Sequence, residues 1–309
     1  MDLTAGPPSD ADVPRYVAEL GLPGLADIHI HFLPERMQKA VWAYFDAAGR
    51  NYGRDWPITY RGSESERLAV LRRLGVRAIP ALTYAHRAGM AADLNRWCAE
   101  FAARVSDAVH CATFYPEPGV AEYTDQAIRT GARLFKIHVQ VGAFSPDDPL
   151  LNDVWGLLEI SRLPVVIHCG SAPLPGAHTG VAPVRRLLDS HPDLVLVIAH
   201  LGMPEYDAFA DLAWEFPGVY LDTTMAATDF SNAFAPLPDG YRDRLAMLSD
   251  KVVLGSDFPS IPYPYSEQLR ALARLDLGAE WMRSVLWRNG ARLLDLDDGL
   301  GPDYSAASV

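Results

Sequence analysis

Two histidines separated by one residue stand in an otherwise apolar stretch near the start of the chain. The stretch is Leu25-Ala-Asp-Ile-His-Ile-His-Phe32, in which apolar residues alternate with Asp27, His29 and His31. In a β-strand every second side chain points to the same face, so these three polar residues share one face. Two imidazoles at this spacing can reach a single ion, whereas metal-binding pairs on helices are spaced i, i+4. The pattern predicts a metal-binding strand if other segments supply further ligands.

Further ligand-type residues stand at the ends of later predicted strands. Lys136 and His138 end the fourth strand, His168 the fifth, His200 the sixth and Asp257 the eighth. In barrels of alternating strands and helices, active sites are built at the carboxyl ends of the strands. A hydrogen-bonded core histidine would explain one such position, but it would not explain the whole ordered set. We therefore expect these strand ends to form a site for metal binding or catalysis.

The elements that must position these residues alternate regularly after residue 62. Near-continuous apolar runs indicate strands buried on both faces of a parallel sheet. Eight strand–helix units favour a closed (β/α)8 TIM barrel of the α/β class, and no glycine-rich phosphate motif follows the first strand. The predicted strands cover residues 24–31, 76–82, 109–114, 132–139, 164–169, 194–200, 218–223 and 252–257. The predicted helices cover residues 63–73, 90–105, 119–130, 147–161, 181–190, 204–216, 239–249, 265–275 and 279–294.

Residues 1–309 are interpreted as one barrel domain with additions. Residues 1–22 are predicted to be a polar N-terminal arm with one helical turn, two extra helices are expected to close the chain, and the tail from Asp297 is expected to fray. An aromatic-rich insertion at 32–62 follows the first strand. Long connections of this kind are often lids or binding loops, but a helical excursion that packs its own aromatic residues is an equal alternative.

Composition narrows the classes of partner. The chain has 309 residues, 49% hydrophobic and 21% charged, which is typical of a folded globular protein. A net charge of −12 without a basic run argues against nucleic acid. Neither a signal peptide nor a membrane-spanning run is evident. Three sparse cysteines, Cys98, Cys111 and Cys169, do not form a disulfide framework and are expected in the core. We expect a cytoplasmic protein with no membrane partner.

The order of these motifs resembles the amidohydrolase superfamily, more narrowly the amidohydrolase-2 group that includes aminocarboxymuconate-semialdehyde decarboxylase. The resemblance extends from about residue 24 to 295. It is carried by the His-x-His pair together with Phe135-Lys-Ile-His-Val139, Pro164-Val-Val-Ile-His-Cys-Gly170, Ala199-His-Leu-Gly202, Gly255-Ser-Asp-Phe-Pro259 and Asn289-Gly-Ala-Arg-Leu-Leu294. The His-x-His pair is weak by itself, whereas the ordered set is specific.

The resemblance implies that His29, His31, His168 and Asp257 bind one divalent metal ion. Zinc is the first choice and manganese the alternative, and zinc accepts imidazole nitrogen and carboxylate oxygen. Asp257 and His200 would be the catalytic residues that move protons. The ion would lower the pKa of a water, so that hydroxide is available near neutral pH.

The implied reaction is hydrolysis of a small organic acid, lactone or amide by a metal-activated water. The alternative within the family is non-oxidative decarboxylation of a carboxylated aromatic or muconate-like acid. A metal-free, lactonase-like site or a non-catalytic barrel that binds a metabolite is a third possibility. The partner is a small-molecule substrate, and a homodimer fits the family.

Several residues have open roles. Lys136 is either a carboxylated lysine that bridges two metals, as in binuclear members of the superfamily, or a lysine balanced by an inward carboxylate such as Asp27; we favour the second. His138 either touches substrate or caps the barrel. Arg87 and His178 lie in predicted loops and are candidates for substrate binding, Arg87 through a fork of donors to a carboxylate. Packing within the loops explains both of them equally well.

Overall fold

Parallel strands form the centre of the fold in the computed structural model, which describes residues 3–296. The predicted tail from Asp297 lies outside these residues. Strands β3 to β8 pair in chain order in one parallel sheet, and β1 pairs with β2. The strands are β1 Ile79–Pro80, β2 Ala108–Val109, β3 Cys111–Ala112, β4 Leu134–His138, β5 Val165–His168, β6 Leu196–Ile198, β7 Val219–Asp222 and β8 Val252–Val253.

The opening segment, residues 24–31, connects the two ends of this strand series. The backbone N–H of Leu82 donates to the carbonyl of Ile30 at 3.0 Å, on the β1 side. On the β8 side, the N–H of Ile28 donates to the carbonyl of Leu254 at 2.9 Å. The segment thus occupies the place of the first barrel strand. The predicted α/β barrel class is confirmed.

Helices follow the strands at the predicted places, with boundaries that differ by a few residues. The last predicted helix is divided by a π-helical stretch at Ser284–Arg288. In the part of the chain that the structure describes, no helix combines the length and the apolar character needed to span a bilayer. The helices are α1 Val13–Glu19, α2 Glu35–Asp46, α3 Ala48–Tyr52, α4 Glu64–Leu74, α5 Ala91–Arg104, α6 Val120–Arg129, α7 Val139–Gly142, α8 Asn152–Ser161, α9 Val181–Ser190, α10 Tyr206–Glu215, α11 Asp229–Asn232, α12 Tyr241–Met247, α13 Tyr265–Ala273, α14 Gly278–Arg283 and α15 Asn289–Leu294. Short 3-10 turns cover Asp10–Asp12, Pro149–Leu151 and Ala199–Gly202.

The N-terminal arm is packed more firmly than the sequence suggested. Val13, Tyr16, Val17 and Leu20 recur at helical spacing and are all buried in the main core. Because these positions lie on one side of a helix, α1 presents an apolar face to the barrel. The predicted helical turn is present in this segment, but the prediction that the arm is polar was wrong for it.

The insertion at 32–62 forms two helices and also contributes to the wall of the cavity described below. It forms α2 and α3, and its aromatic residues pack against one another. Trp56 contacts Phe45 at 5.1 Å between ring centroids and Phe230 at 4.8 Å. The Trp56 indole N–H donates to the carbonyl of Ser260 at 2.7 Å, which joins the insertion to the loop after β8. The two alternatives left open by the sequence are therefore compatible.

Candidate metal centre

The two histidines of the opening segment face each other at the mouth of the barrel. Their Nε2 atoms lie 3.2 Å apart. The Asp257 Oδ1 atom lies 3.0 Å from Nε2 of His31 and 3.7 Å from Nε2 of His29. One ligand atom of each residue falls within 4.8 Å of the others, so these three side chains can hold one metal ion.

Hydrogen bonds on the outer side of each ring determine where its proton lies. His29 Nδ1 is 2.8 Å from a carboxylate oxygen of Asp222, and His31 Nδ1 is 2.9 Å from the carbonyl of Leu82. A carbonyl and an ionised carboxylate can only accept, so both Nδ1 atoms carry the proton. Both Nε2 atoms are then left with unprotonated lone pairs that point at each other.

This donor set fits a divalent cation. Burial, with the charge of Lys136, lowers the pKa of His29 to about 4, so its ring is neutral near pH 7. Burial opposes ionisation of Asp257, but the neighbouring imidazoles of His31, His29 and His200 hold the pKa of that carboxyl below its ordinary value. Two imidazole nitrogens and one carboxylate oxygen, directed at one small volume, are the ligand types that zinc accepts.

Lys136 points into the same volume from β4. Its Nζ lies 3.1 Å from His29 Nε2. Burial lowers the pKa of Lys136 to about 8, while the charges of Asp222 and Asp257 oppose the shift. The expected pairing with Asp27 is wrong. The carboxylate of Asp27 accepts instead from the backbone N–H of His29 at 3.0 Å and from the hydroxyl of Tyr265 at 2.8 Å.

His168 and His138 lie side by side because their strands are in register. The two residues are direct partners in the β4–β5 ladder, and their rings stack with centroids 3.9 Å apart. His168 Nε2 is 3.1 Å from the carbonyl of Ala172, so Nε2 donates and Nδ1 is the atom free to bind an ion. In this conformation His168 borders the His29, His31 and Asp257 group without joining it. Its role as a ligand stays a prediction.

His200 reaches the site by a route that the sequence did not predict. Strand β6 ends at Ile198, and His200 has a left-handed backbone with φ 57°. The predicted strand 194–200 was therefore too long, and simple alternation does not explain the position of His200. Its ring centroid lies 5.4 Å from that of His29 and 4.7 Å from that of His168. Burial lowers the pKa of His200 to about 4, which keeps the ring neutral.

Asp222 is the site residue that sequence reasoning missed. It ends β7, is fully buried, and binds His29 through one carboxylate oxygen. The other oxygen accepts the backbone N–H groups of His200 at 2.9 Å and Thr224 at 3.0 Å. Burial opposes ionisation, but the charge and hydrogen bond of His29 lower the pKa of Asp222 below its ordinary range. The sequence did contain a signal for Asp222, because it is a carboxylate near the end of a predicted strand, as Asp257 is.

A cavity of about 530 Å³ opens above these side chains. His29, His31, Lys136, His138, His168, His200 and Asp257 all line it. Arg87 and His178 do not line the cavity, and Arg87 is exposed to solvent. The structure therefore brings seven of the nine sequence-predicted site residues together and leaves these two outside.

The fold and the site together define a (β/α)8 barrel with a candidate metal centre at the carboxyl ends of its strands. The family model described as amidohydrolase, of the amidohydrolase-2 group, matches residues 26–296. The chain belongs to this family, and the resemblance drawn from its motifs is confirmed. Among curated proteins, none matches this chain.

Solved structures share the fold at low sequence identity. A TIM-barrel protein from Bordetella bronchiseptica is 20% identical, with a TM-score of 0.63 over 88% of this chain and 96% of that one. A 5-carboxyvanillate decarboxylase from Sphingomonas paucimobilis is 17% identical, with a TM-score of 0.56 over 76% and 84%. A probable 2-pyrone-4,6-dicarboxylic acid hydrolase from Acinetobacter baumannii is 12% identical, with a TM-score of 0.57 over 87% and 98%. At these identities the similarity supports the fold, not a particular reaction.

Proposed function

We propose that this chain is a metal-dependent hydrolase of small organic acids, lactones or amides. The observation that carries the proposal is the convergence of two unprotonated Nε2 atoms, from His29 and His31, on the carboxylate of Asp257. In this proposal these residues and His168 hold one divalent ion, zinc or manganese. When bound, such an ion supplies a Lewis acid that polarises an acyl oxygen and lowers the pKa of water.

The chain's own residues supply proton transfer and orientation. Asp257 is ionised and accepts the proton of the attacking water. His200 is neutral, so its ring N–H can donate to the oxygen or nitrogen that leaves. Asp222 holds the His29 ring in its tautomer and also holds the backbone of His200. His138 lies beside His168 and lines the cavity that would receive the substrate.

Decarboxylation is the second candidate, because the solved structures that share this fold include one named as a decarboxylase as well as one named as a hydrolase. The same ligand set serves both reactions. Incubation in ¹⁸O-labelled water separates them: hydrolysis places the label in the organic acid that is formed, whereas decarboxylation releases carbon dioxide and leaves the organic product unlabelled. Release of carbon dioxide together with an unlabelled organic product would overturn the hydrolase proposal.

Metal content is the direct test of the site. We expect elemental analysis to find one zinc or manganese per chain in the wild type after supplementation. His31→Ala and Asp257→Ala should lose most of it, because each removes one converging ligand atom. His110→Ala is the matched control, since His110 lies in the gap between β2 and β3 and does not line the cavity. Full turnover by protein without metal would favour the metal-free alternative.

Lys136 is tested by the same measurement. We propose that it stays an unmodified lysine beside a single ion. Two metals per chain in the wild type, with reduced metal content in Lys136→Ala, would instead support a bridging carboxylated lysine.

A further inference from the structure

The wall of the cavity has two chemically different ends. The end formed by the barrel mouth carries the histidines, Lys136 and Asp257. The other end is formed largely by the insertion, and every side chain that the insertion contributes is uncharged. Its main members are Met37, Val41, Tyr44, Phe45, Tyr52 and Trp56.

The charged residues of the insertion point elsewhere. On α2, Lys39 pairs with Glu35 on the exposed surface, and Asp46 pairs with the exposed Arg61. The guanidinium of Arg54 lies over the ring of Phe234, 4.2 Å from the centroid, and does not line the cavity. The amphipathic pattern of α2 therefore turns its apolar side to the cavity.

Within residues 3–296, no lysine or arginine lines the insertion end of the cavity, so none there can balance a negative charge on a ligand. Apart from histidines, Lys136 and Asp257 are the charged side chains among the described residues that line the cavity. Lys136 is buried against His29, between Asp222 and Asp257. Gln140 is neutral, and the exposed His86 belongs to the loop after β1 rather than to the insertion. The hydroxyls of Tyr44 and Tyr52 are neutral donors, so a carboxylate at the insertion end would lose hydration without gaining a cationic partner, which is costly.

The apolar wall is held in place before a ligand arrives. The indole of Trp56 is 7% exposed and bound to Ser260, and its ring packs against Tyr52 at 5.9 Å as well as Phe45 at 5.1 Å. Rings fixed in this way offer faces and edges to a flat apolar ligand.

We propose that the substrate has one acidic or acyl group at the histidine end and an uncharged ring or apolar chain at the insertion end. The proposal excludes substrates with a second carboxylate at the far end. It rests on the proposed function for the placement of the acyl group, whereas the preference for an uncharged far end follows from the wall.

Binding of two matched probes tests this. Naphthalene-2-carboxylate has one carboxylate, and naphthalene-2,6-dicarboxylate has a second one at the opposite end of the same ring system. Titration calorimetry with zinc-loaded and metal-free protein should show the dicarboxylate binding at least about tenfold more weakly. Equal or tighter binding of the dicarboxylate, or no binding of either acid at millimolar concentration, would overturn the proposal.

Two variants that each add a positive charge to α2 test whether the insertion causes the preference for the monocarboxylate. Val41→Arg places a cation on the cavity wall, and Ala43→Arg places one on the exposed side of the same helix. We expect Val41→Arg to remove the preference and Ala43→Arg to keep it. If both variants behaved like the wild type, the insertion would not be the source of the preference.

Failure of this inference differs from failure of the proposed function. Binding is measured without turnover, so a loaded protein that prefers the monocarboxylate but hydrolyses nothing would refute only the function. A protein that hydrolyses lactones or amides and binds both acids equally would refute only the substrate inference.

Discussion

At the scale of single residues, one carboxylate determines which nitrogen of His29 carries the proton in the candidate metal centre. Asp222 accepts two backbone N–H groups with one oxygen, and with the other it accepts the proton on His29 Nδ1. Outer partners of this kind orient the ligating histidine and fix its tautomer. The chemistry of His29 therefore depends on a residue outside the group of candidate ligands.

Asp222→Asn should weaken metal binding while the fold stays intact. The two backbone N–H groups require the amide oxygen, so the amide NH₂ would face His29 Nδ1 and donate to it. The His29 proton would then move to Nε2 and block the ligand atom. We expect metal affinity to fall by about 10–100-fold in a competition titration with a chromogenic chelator. Asp229→Asn, on the exposed α11, is the control, and equal affinity in both variants would contradict this account.

His200→Asn should reduce turnover more than it reduces metal content. His200 lies among the cavity histidines and is proposed to donate a proton to the leaving group. Loss of a general acid typically lowers the rate by about 10²–10⁴-fold. The measurement compares kcat, KM and bound metal of the variant with those of His110→Asn. Wild-type kcat in His200→Asn would remove it from the mechanism.

At the scale of elements, two glycines occupy different positions in their helices, one in the interior and one at the end. Gly156 lies inside α8 and has open space where a Cβ would be placed. Gly75 ends α4 with φ 85°, a left-handed conformation, although the space around it is also open. The two sites therefore differ in backbone conformation rather than in crowding.

Gly156→Ala should stabilise the protein, and Gly75→Ala should destabilise it. Alanine inside a helix lowers the entropy of the unfolded chain, which raises the free energy of unfolding by about 0.5–1 kcal/mol. Alanine at Gly75 would be strained and should lower it by about 1 kcal/mol or more. Urea unfolding of both variants checks the signs. A shift in the same direction for both would mean that backbone conformation does not decide the outcome.

At the scale of the whole molecule, folding removes the cysteine thiols from solvent. Cys98, Cys111 and Cys169 are all free and buried, as the sequence predicted. Burial raises the pKa of Cys98 to about 12, so the reactive thiolate is scarce near neutral pH.

These thiols should react only when the barrel opens. We expect no fast reaction of the native protein with Ellman's reagent at about pH 8, where an ordinary thiol with a pKa of about 8.5 reacts readily. The three thiols should all be titrated in guanidinium chloride. Ala43→Cys, on the exposed side of α2, provides a fast-reacting control. Rapid labelling of the unmodified native chain would show that the core is open to reagents.

The sequence by itself determined the features that depend on local patterns. Alternation along a strand places His29 and His31 on one face, because that geometry involves only neighbouring residues. Apolar runs and helix spacing predicted the barrel and most of its helices. His138 and His168 could be predicted as strand ends for the same reason.

Only the tertiary structure decided the contacts between distant parts of the chain. Asp222 binds His29 across 193 positions in sequence, and no local pattern links the two. His200 is placed by a left-handed turn rather than by alternation, and Arg87 is left outside the cavity. Side-chain alternation follows from the backbone of one strand, but the direction of a loop and the partner of a buried charge follow from how separate elements pack.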